Sequence, residues 1–287
     1  MDKTSRVKRI VQDLDRLPAL PGVVNQVLEI TANPDFATND LVAVVSLDPG
    51  VTANVLRRAN SAYFGLGRKI STLDQALTRI GVQNLIDITL NSGVVPMFNS
   101  YLAGYNAEPS QLWRHSLATA LVARRLAQLK AVPAPAEVYT AALLHDVGKL
   151  ILSTFLAQEL VAIGNLIVNN NWPPAEAERE VLGVDHAIMG GLAARKWHLS
   201  ETIQGGIFFH HEPQKASPNR LYANLISLAN HLIIRCGMGC GFDERKAQLP
   251  TTVLFDLAIT PAKMDQLLEE AQKILTKAEP LFSLVEG

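Results

Sequence analysis

Apolar residues recur at intervals of three and four positions along most of this chain, which is the spacing of amphipathic α-helices that pack against a core. The stripe formed by Val23, Val24, Val27, Leu28 and Ile30 is one example. No segment alternates polar and apolar residues as a half-buried strand would, and no internal repeat is visible. The pattern therefore predicts an all-α protein.

Proline, glycine and short polar residues predict where several helices begin and end. The helix that carries the valine stripe should stop at Asn33–Asp35, and Thr38 or Asn39 should cap the next one. The sequence Asp48-Pro49-Gly50 should close that helix and open a further one that runs to Asn60. In the second half we predict a helix from Leu112 to Leu129, a turn at Pro133 and Pro135, and a change of direction at Gly148. Asp185 should cap a helix that begins at His186. Ser200 should cap the following helix, which should end near His211.

The segment PMFNSYLAGYNAEPS, which starts at Pro96, breaks the helical pattern with proline, glycine and polar residues. Segments of this composition commonly separate domains, and a chain of 287 residues can bury a core in each of two lobes. We therefore predict an N-terminal helical lobe over residues 1–103. A second helical lobe with a C-terminal helical extension should follow over residues 104–287.

The charge balance argues against nucleic acid as a partner. The 26 Lys and Arg residues against 27 Asp and Glu residues leave a net charge of −1, whereas nucleic-acid-binding domains carry a basic footprint. The stretch that contains Arg57, Arg58, Arg68 and Lys69 is predicted to be a solvated face. Direct DNA binding through this stretch ranks below the two functions set out below.

The cysteines and the apolar segments predict a cytoplasmic protein without a membrane span. Cys236 and Cys240 are the only cysteines, which is too few for a disulfide framework and fits a reducing compartment. Residues 1–17 have the pattern of an amphipathic helix rather than a signal peptide. The longer apolar stretches are interrupted by polar residues and fall short of a membrane span.

Candidate chemistry centres on the stretch AALLHDVGKL, where His145 and Asp146 are adjacent. A carboxylate can bridge two cations while an imidazole binds one of them, so this pair can begin a metal centre that activates water. A lone histidine is more often a packed or solvated side chain. Here, however, several histidines follow in apolar helical contexts near predicted helix ends. The candidate ligands are His115, His145, Asp146, His186, His210 and His211, and the candidate metals are Fe, Mn and Zn.

Three motifs of the first hundred residues resemble the N-terminal lobe of the HDOD family, the HD-related output domains of bacterial signalling proteins. They are LPALPGVVNQVLEI from Leu17, LVAVVSLDPGVTANVLRRANSAYFG, and ISTLDQALTRIGVQNL. The resemblance implies an N-terminal HDOD-specific helical bundle packed on an HD-like helical bundle, and a role as an output domain such as that of a response regulator. Within these motifs we expect Asp48, Pro49, Asn60 and Ser61 to serve the local backbone as turn and capping residues.

The histidine series resembles the metal-binding pattern of HD phosphohydrolases and, in its number of histidines, that of HD-GYP phosphodiesterases. Lys149 matches the lysine of the HDxGK motif, which in those relatives approaches a substrate phosphate. Position by position, the resemblance implies a first ligand at His115, the His145-Asp146 doublet with Asp146 as the bridge, a second-metal ligand at His186, and the paired histidines His210 and His211.

Two departures from this resemblance argue against catalysis. The stretch SLANHLII offers Asn230 where HD enzymes carry a late aspartate. A neutral amide is a weaker ligand for a hard metal than a carboxylate, so the first metal position should be weakened. The segment after HHEP also lacks the GYP motif linked to cyclic dinucleotide recognition, which argues against hydrolysis of cyclic di-GMP.

Two functional hypotheses remain open, and the sequence does not decide whether the chain is an enzyme. We favour a non-catalytic output or regulatory module in which any bound metal is structural and a cleft binds a signalling protein or a small ligand. The alternative is a metal-dependent phosphohydrolase acting on a nucleotide or phosphoester. In that case metals at Asp146 activate water, and Lys149 offsets charge on the phosphoryl oxygens. Homo-oligomerisation is compatible with both.

Overall fold

A computed structural model describes residues 20–33, 35–64, 69–98, 102, 105–108, 110–155, 157–242 and 249–282 of the chain. These residues form two compact units, one of residues 20–97 and 277–282 and one of residues 98–276. The predicted lobe boundary between residues 103 and 104 lies outside the described residues. The same holds for the amphipathic helix predicted over residues 1–17.

The prediction of an all-α protein is confirmed. The described residues form α-helices, short 3₁₀ turns and one isolated β-bridge between Leu102 and Ala107, with no β-strand among them. In chain order the helices are α1 (Gly22–Thr31), α2 (Thr38–Ser46), α3 (Pro49–Ala59), α4 (Leu73–Phe98), α5 (Gln111–Leu129), α6 (Pro135–Leu144), α7 (Val147–Phe155), α8 (Ala157–Asn170), α9 (Pro174–Leu182), α10 (His186–Lys196), α11 (Glu201–Phe208), α12 (Arg220–Arg235), α13 (Thr251–Asp256) and α14 (Pro261–Phe282).

Short polar residues of the first unit serve the backbone, as predicted. Asp48 is the N-cap of α3, and its Oδ1 accepts a hydrogen bond from the Val51 N–H at 3.0 Å. The Asn60 side chain ends the same helix and pairs with the Ile70 backbone, accepting from its N–H and donating to its carbonyl at 2.9 Å each. Ser61 donates to a carbonyl of α3 at 2.7 Å. These bonds leave no need for a ligand to explain the three residues.

Two boundary predictions are wrong. Neither Thr38 nor Asn39 caps α2, because the helix already begins at Thr38 and the N-cap residue is Ala37, which offers no side-chain bond. The change of direction predicted at Gly148 occurs earlier, between the end of α6 and the start of α7. Gly148 instead allows α7 to approach α10 closely, since a Cβ at this position would lie 1.9 Å from the His186 carbonyl oxygen.

The second unit is organised around α5, a helix rich in alanine and leucine that is buried on most of its circumference. Helices α6 and α12 pack on α5, α11 packs on α6 and α10, and α10 packs on α7. The predicted caps of this unit are confirmed. Asp185 accepts from Ile188 N–H at 2.8 Å at the start of α10, and Ser200 accepts from Ile203 N–H at 3.3 Å at the start of α11. However, α11 ends at Phe208 and does not reach His211.

The stretch considered for DNA binding does not form a run of exposed cations. Arg58 is only 5% exposed, Arg57 and Lys69 are exposed, and Arg68 lies outside the described residues. Among the helices of the described part of the chain, none has the length and apolar character needed to cross a membrane.

Candidate metal centre

Asp146 lies at the centre of the candidate site, in the turn between α6 and α7, with 1% of its side chain exposed. Its Oδ2 atom faces two imidazoles, with His115 Nε2 at 3.5 Å and His145 Nε2 at 3.4 Å. Its Oδ1 atom faces two others, with His186 Nε2 at 3.2 Å and His210 Nε2 at 3.8 Å. Each oxygen of this one carboxylate thus lies near two histidines, His115 and His145 at Oδ2 and His186 and His210 at Oδ1.

Helix ends bring these side chains together. His115 lies within α5, His145 follows the last residue of α6, His186 is the first residue of α10, and His210 comes two residues after α11. His211 completes the set, with its Nε2 atom 2.8 Å from that of His186. The structure therefore places all six predicted ligands in one cluster, which sequence separation alone did not guarantee.

The cluster divides into two groups of three potential ligands. Within each group the ligand atoms all lie within 4.8 Å of one another. We call His115, His145 and Asp146 the first triad, and His186, His210 and His211 the second triad. The two remaining histidines of the chain, His198 and His231, belong to neither triad.

Three of the histidines are held by backbone carbonyls through Nδ1. His115 Nδ1 lies 2.8 Å from the Met238 carbonyl oxygen, and the Nδ1 atoms of His145 and His210 lie 2.7 and 2.8 Å from carbonyl oxygens in the last turns of α6 and α11. A carbonyl oxygen only accepts, so Nδ1 must donate and, in the neutral imidazole, Nε2 keeps its lone pair. Fixing the tautomer in this way is the usual support for a metal-binding histidine.

The Nε2 atoms of His115, His145 and His210 are buried and have no hydrogen-bond partner among the described residues. Buried polar atoms are nearly always paired, and an unpaired one calls for an explanation such as a bound ion. Three such lone pairs converge with a carboxylate, which is the ligand chemistry that Zn, Fe and Mn accept. The residues present therefore fit a divalent metal.

Glu178 is a functional candidate that the sequence reasoning missed. Its side chain is 0% exposed, and its Oε2 accepts from both Nδ1 and the backbone N–H of His186, each at 2.7 Å. A signal was available in α9, because Glu178 falls on the same buried stripe as Ala175 and Leu182. A carboxylate on the apolar face of a helix needs a buried partner.

Burial lowers the pKa of three imidazoles in the cluster. The pKa of His210 falls to about 4, and the pKa values of His145 and His211 fall well below their usual range, in each case chiefly because burial disfavours the charged ring. At neutral pH these three histidines are therefore neutral. A neutral imidazole is the form that binds a metal.

For two other groups of the cluster, neighbouring charges outweigh the effect of burial on the pKa. Burial would lower the pKa of His186, but Glu178 and Asp146 outweigh it and raise the pKa to about 10. Burial would likewise raise the pKa of the Asp146 carboxyl, but the Lys149 ammonium, 2.7 Å from Oδ2, and the His186 ring hold the pKa well below its usual range. Asp146 is consequently an anion at neutral pH. His186 carries a proton in the absence of a metal, and a metal ion bound at Nε2 would displace that proton and take over its stabilisation by the two carboxylates.

Lys149 is almost fully buried and donates to Asp146 Oδ2 at 2.7 Å. It also lines a cavity of about 440 Å³ that reaches His210 and His211. Asn230, predicted to replace the late aspartate, lines the same cavity, and its Oδ1 atom has no hydrogen-bond partner among the described residues. The other walls come from α9 and the residue before it (173–176 and 179), from α12 (227, 231 and 234) and from two loops (212, 214 and 249–251).

An all-α unit with a buried His-Asp doublet at the centre of a histidine cluster defines an HD-type helical protein. The HDOD domain family matches residues 17–213, which is more than half of the chain. The chain belongs to the HDOD family.

Similar proteins of known sequence or structure come from several bacteria. An uncharacterized protein of Treponema pallidum is 26% identical over 232 residues, which is 80% of this chain but 44% of that protein, so the chain spans less than half of this curated relative. Two solved structures share the fold. One is a Shewanella amazonensis protein provisionally named a phosphohydrolase, with TM-score 0.74, 24% identity, and coverage of 96% of this chain and 97% of that one. The other is a Marinobacter aquaeolei protein provisionally named a signal transduction protein, with TM-score 0.75, 18% identity, and coverage of 99% and 66%.

Proposed function

We propose that this chain is a non-catalytic regulatory or output module of bacterial signal transduction, built around a divalent-metal centre. Membership of the HDOD family and the name of the Marinobacter relative support the signalling role. His115, His145, Asp146, His186, His210 and His211 would hold the metal, which would be Fe, Mn or Zn. A metal held by side chains from several helices would tie those helices together, so that stability follows metal supply.

One observation carries the non-catalytic reading. Within the described part of the chain, Asp146 is the single carboxylate of the two triads, and its Oδ2 atom already bonds the buried ammonium of Lys149. A hydrolytic centre needs a firmly held metal with an open coordination position for water. One carboxylate that is shared with a lysine gives little negative charge for that purpose, and Asn230 adds none.

The cavity beside the cluster supports a ligand-binding role. Its volume of about 440 Å³ falls in the range of small-molecule sites. Its wall combines an apolar part, which includes Ile234 and Pro250, with the polar side chains of Ser227, Asn230 and Gln214. A small ligand, or a side chain of a signalling partner, could enter this cavity and contact the histidines of the second triad.

The second candidate is a metal-dependent phosphohydrolase, which the position of the same cavity favours. Lys149, His210 and His211 line the cavity, so a substrate in it would lie beside the cluster. In this function the metal would lower the pKa of a bound water, Asp146 would hold the metal, and Lys149 would face a phosphoryl oxygen. The name of the Shewanella relative points in the same direction.

Metal analysis combined with an activity panel separates the two functions. The purified protein would be analysed for metal and then assayed against nucleotides and other phosphoesters with added Mn(II) or Fe(II). We expect bound metal without turnover. Turnover that disappears in Asp146→Asn, with the helical circular-dichroism spectrum retained, would overturn the non-catalytic function.

A further inference from the structure

A second cavity, of about 360 Å³, lies within the unit of residues 98–276. Its walls come from the C-terminal end of α5, from α12, from the turn after α13 and from the first turns of α14. It shares no lining residue with the cavity beside the histidines or with the candidate metal ligands. Its volume falls at the lower end of the range of small-molecule sites. The proposed function does not use this cavity.

The two cavities lie on opposite sides of α12. Residues 227, 230, 231 and 234 of this helix line the cavity beside the histidines, whereas Leu225 and Leu228 line the second one. Residues three or four positions apart share one face of a helix, so these two sets belong to different faces. A ligand in the second cavity would therefore be separated from the metal centre by the body of α12.

Leucine side chains form most of the wall of the second cavity. Of the ten described residues that line it, eight are apolar, and six of these are leucines. Leu225 and Leu228 are at most 1% exposed and belong to the core, whereas Leu129 is 46% exposed and lies where the cavity opens to solvent. Covering such a wall with a hydrocarbon chain removes apolar surface from water and is favourable.

The two remaining residues of the wall are both cations. Lys130 follows α5, and Lys263 lies in the first turn of α14, where its side chain is exposed. Lys130 Nζ donates to the Leu257 carbonyl at 2.8 Å, which uses one of the three N–H groups of the ammonium. No carboxylate is among the ten described lining residues. An apolar cavity with a positive rim is complementary to a molecule that has a hydrocarbon chain and a negative head group.

The turn after α13 holds its part of the wall in place without a ligand. Ala258 has a left-handed backbone (φ 52°), and the Ile259 N–H donates to the Leu254 carbonyl at 2.8 Å, which closes the end of α13. The bond from Lys130 to Leu257 fixes the same turn to the end of α5. A site that is formed in advance does not have to be ordered when the ligand binds.

From the apolar wall and its positive rim we propose that this cavity binds a free fatty acid of medium chain length. The hydrocarbon chain would contact the leucines, and the carboxylate would lie beside Lys130 and Lys263. A cationic amphiphile of the same length would be repelled at the rim, and a short hydrophilic anion would leave the leucines uncovered. This inference goes beyond the proposed function and does not depend on a bound metal.

Calorimetric titration of the full chain with decanoate, below the concentration at which decanoate forms micelles, tests the site. We expect saturable binding of one decanoate per chain. Affinity should rise by about fourfold for each CH₂ added between hexanoate and decanoate, because each buried CH₂ contributes about 0.8 kcal/mol. Acetate should not bind. Decyltrimethylammonium, which has the same chain and the opposite charge, should bind at least about tenfold more weakly than decanoate.

Two pairs of variants locate the site. Leu129→Asn should weaken decanoate binding by about three- to tenfold, because an apolar contact is lost at the opening. Leu221→Asn, at a 40% exposed position of α12 outside the cavity, should leave the affinity unchanged. Lys263→Gln should weaken decanoate binding by about two- to fivefold, whereas Lys273→Gln, further along α14, should not change it. Circular dichroism verifies that all four variants are folded.

Several results would overturn the proposal. These are the absence of saturable decanoate binding, equal affinities of the Leu129 and Leu221 variants, and binding of decyltrimethylammonium as tight as that of decanoate. Binding only to vesicles of anionic phospholipid would replace the free fatty acid with a membrane surface. Self-association of the wild-type chain in sedimentation, lost in Leu129→Asn alone, would show that a second copy covers the cavity. The metal content and the phosphoester assay are unaffected by these outcomes, so the proposed function stands or fails separately.

Discussion

Lys149 Nζ lies 2.7 Å from Asp146 Oδ2, and each side chain is 1% exposed. Removing one partner of a buried ion pair leaves the other charge without compensation, which costs about 3–5 kcal/mol. The pair therefore satisfies the Asp146 carboxylate internally, and any cation that approaches from the first triad must compete with the ammonium.

Lys149→Met is expected to have two effects. In the absence of metal it should destabilise the protein by roughly 3–5 kcal/mol, because the buried Asp146 carboxylate loses its cation. With Zn(II) present, the metal affinity of the cluster should rise, because a buried positive charge that opposes the metal is gone. Denaturant unfolding and metal titration measure these effects, and Lys263→Met, at an exposed position of α14, is the control. An unchanged Zn(II) affinity would show that the ammonium does not oppose a metal in this cluster.

Metal binding should stabilise the folded chain. An ion that binds only the folded state adds about 2.7 kcal/mol when its free concentration is 100 times the dissociation constant. We expect the thermal midpoint to rise with Zn(II) and to return with chelator. His211→Ala should lose this shift. His198→Asn should keep it, because His198 is exposed, lies outside both triads, and has a left-handed backbone (φ 56°) that Asn tolerates.

Gly148→Ala should damage both stability and metal affinity. The added Cβ would lie 1.9 Å from the His186 carbonyl oxygen and 2.8 Å from Gly190 N, so α7 and α10 would have to separate. We expect a loss on the order of 3 kcal/mol or more, together with weaker Zn(II) binding through His186. Gly22→Ala is the matched control, since nothing lies within 4 Å of its new Cβ. Equal unfolding midpoints for the two variants would contradict this account.

Asn230→Asp tests whether Asn230 stands at the position of the late aspartate of HD enzymes. Its Oδ1 atom is buried without a hydrogen-bond partner among the described residues, beside the cavity that reaches His210 and His211. A carboxylate there should raise metal affinity by about tenfold or more, because it adds a negative charge and a harder ligand. Metal titration measures the change, with Asn165→Asp on the exposed face of α8 as the control. An unaltered affinity would show that this position is not a ligand position.

Local sequence determined most of the helices of this protein. The three- and four-residue spacing predicted an all-α fold, and the Asp48-Pro49 and Asp185-His186 pairs predicted the starts of α3 and α10, because caps and first turns depend on neighbouring residues. The errors fell where the deciding contact was distant. The sequence predicts a change of direction at Gly148, whereas the structure gives this glycine a close approach to His186, 38 residues further along the chain.

The sequence by itself also determined which residue types were available for a metal centre, since the His145-Asp146 doublet and the later histidines are local motifs. Only the tertiary structure decided what surrounds them. The Met238 carbonyl that sets the tautomer of His115 and the Glu178 carboxylate behind His186 come from other helices or loops, and no spacing rule links them to their histidines. The physical reason is that desolvation and Coulomb interactions depend on distance in space rather than along the chain, so the charges of a buried site are assigned only when the helices pack.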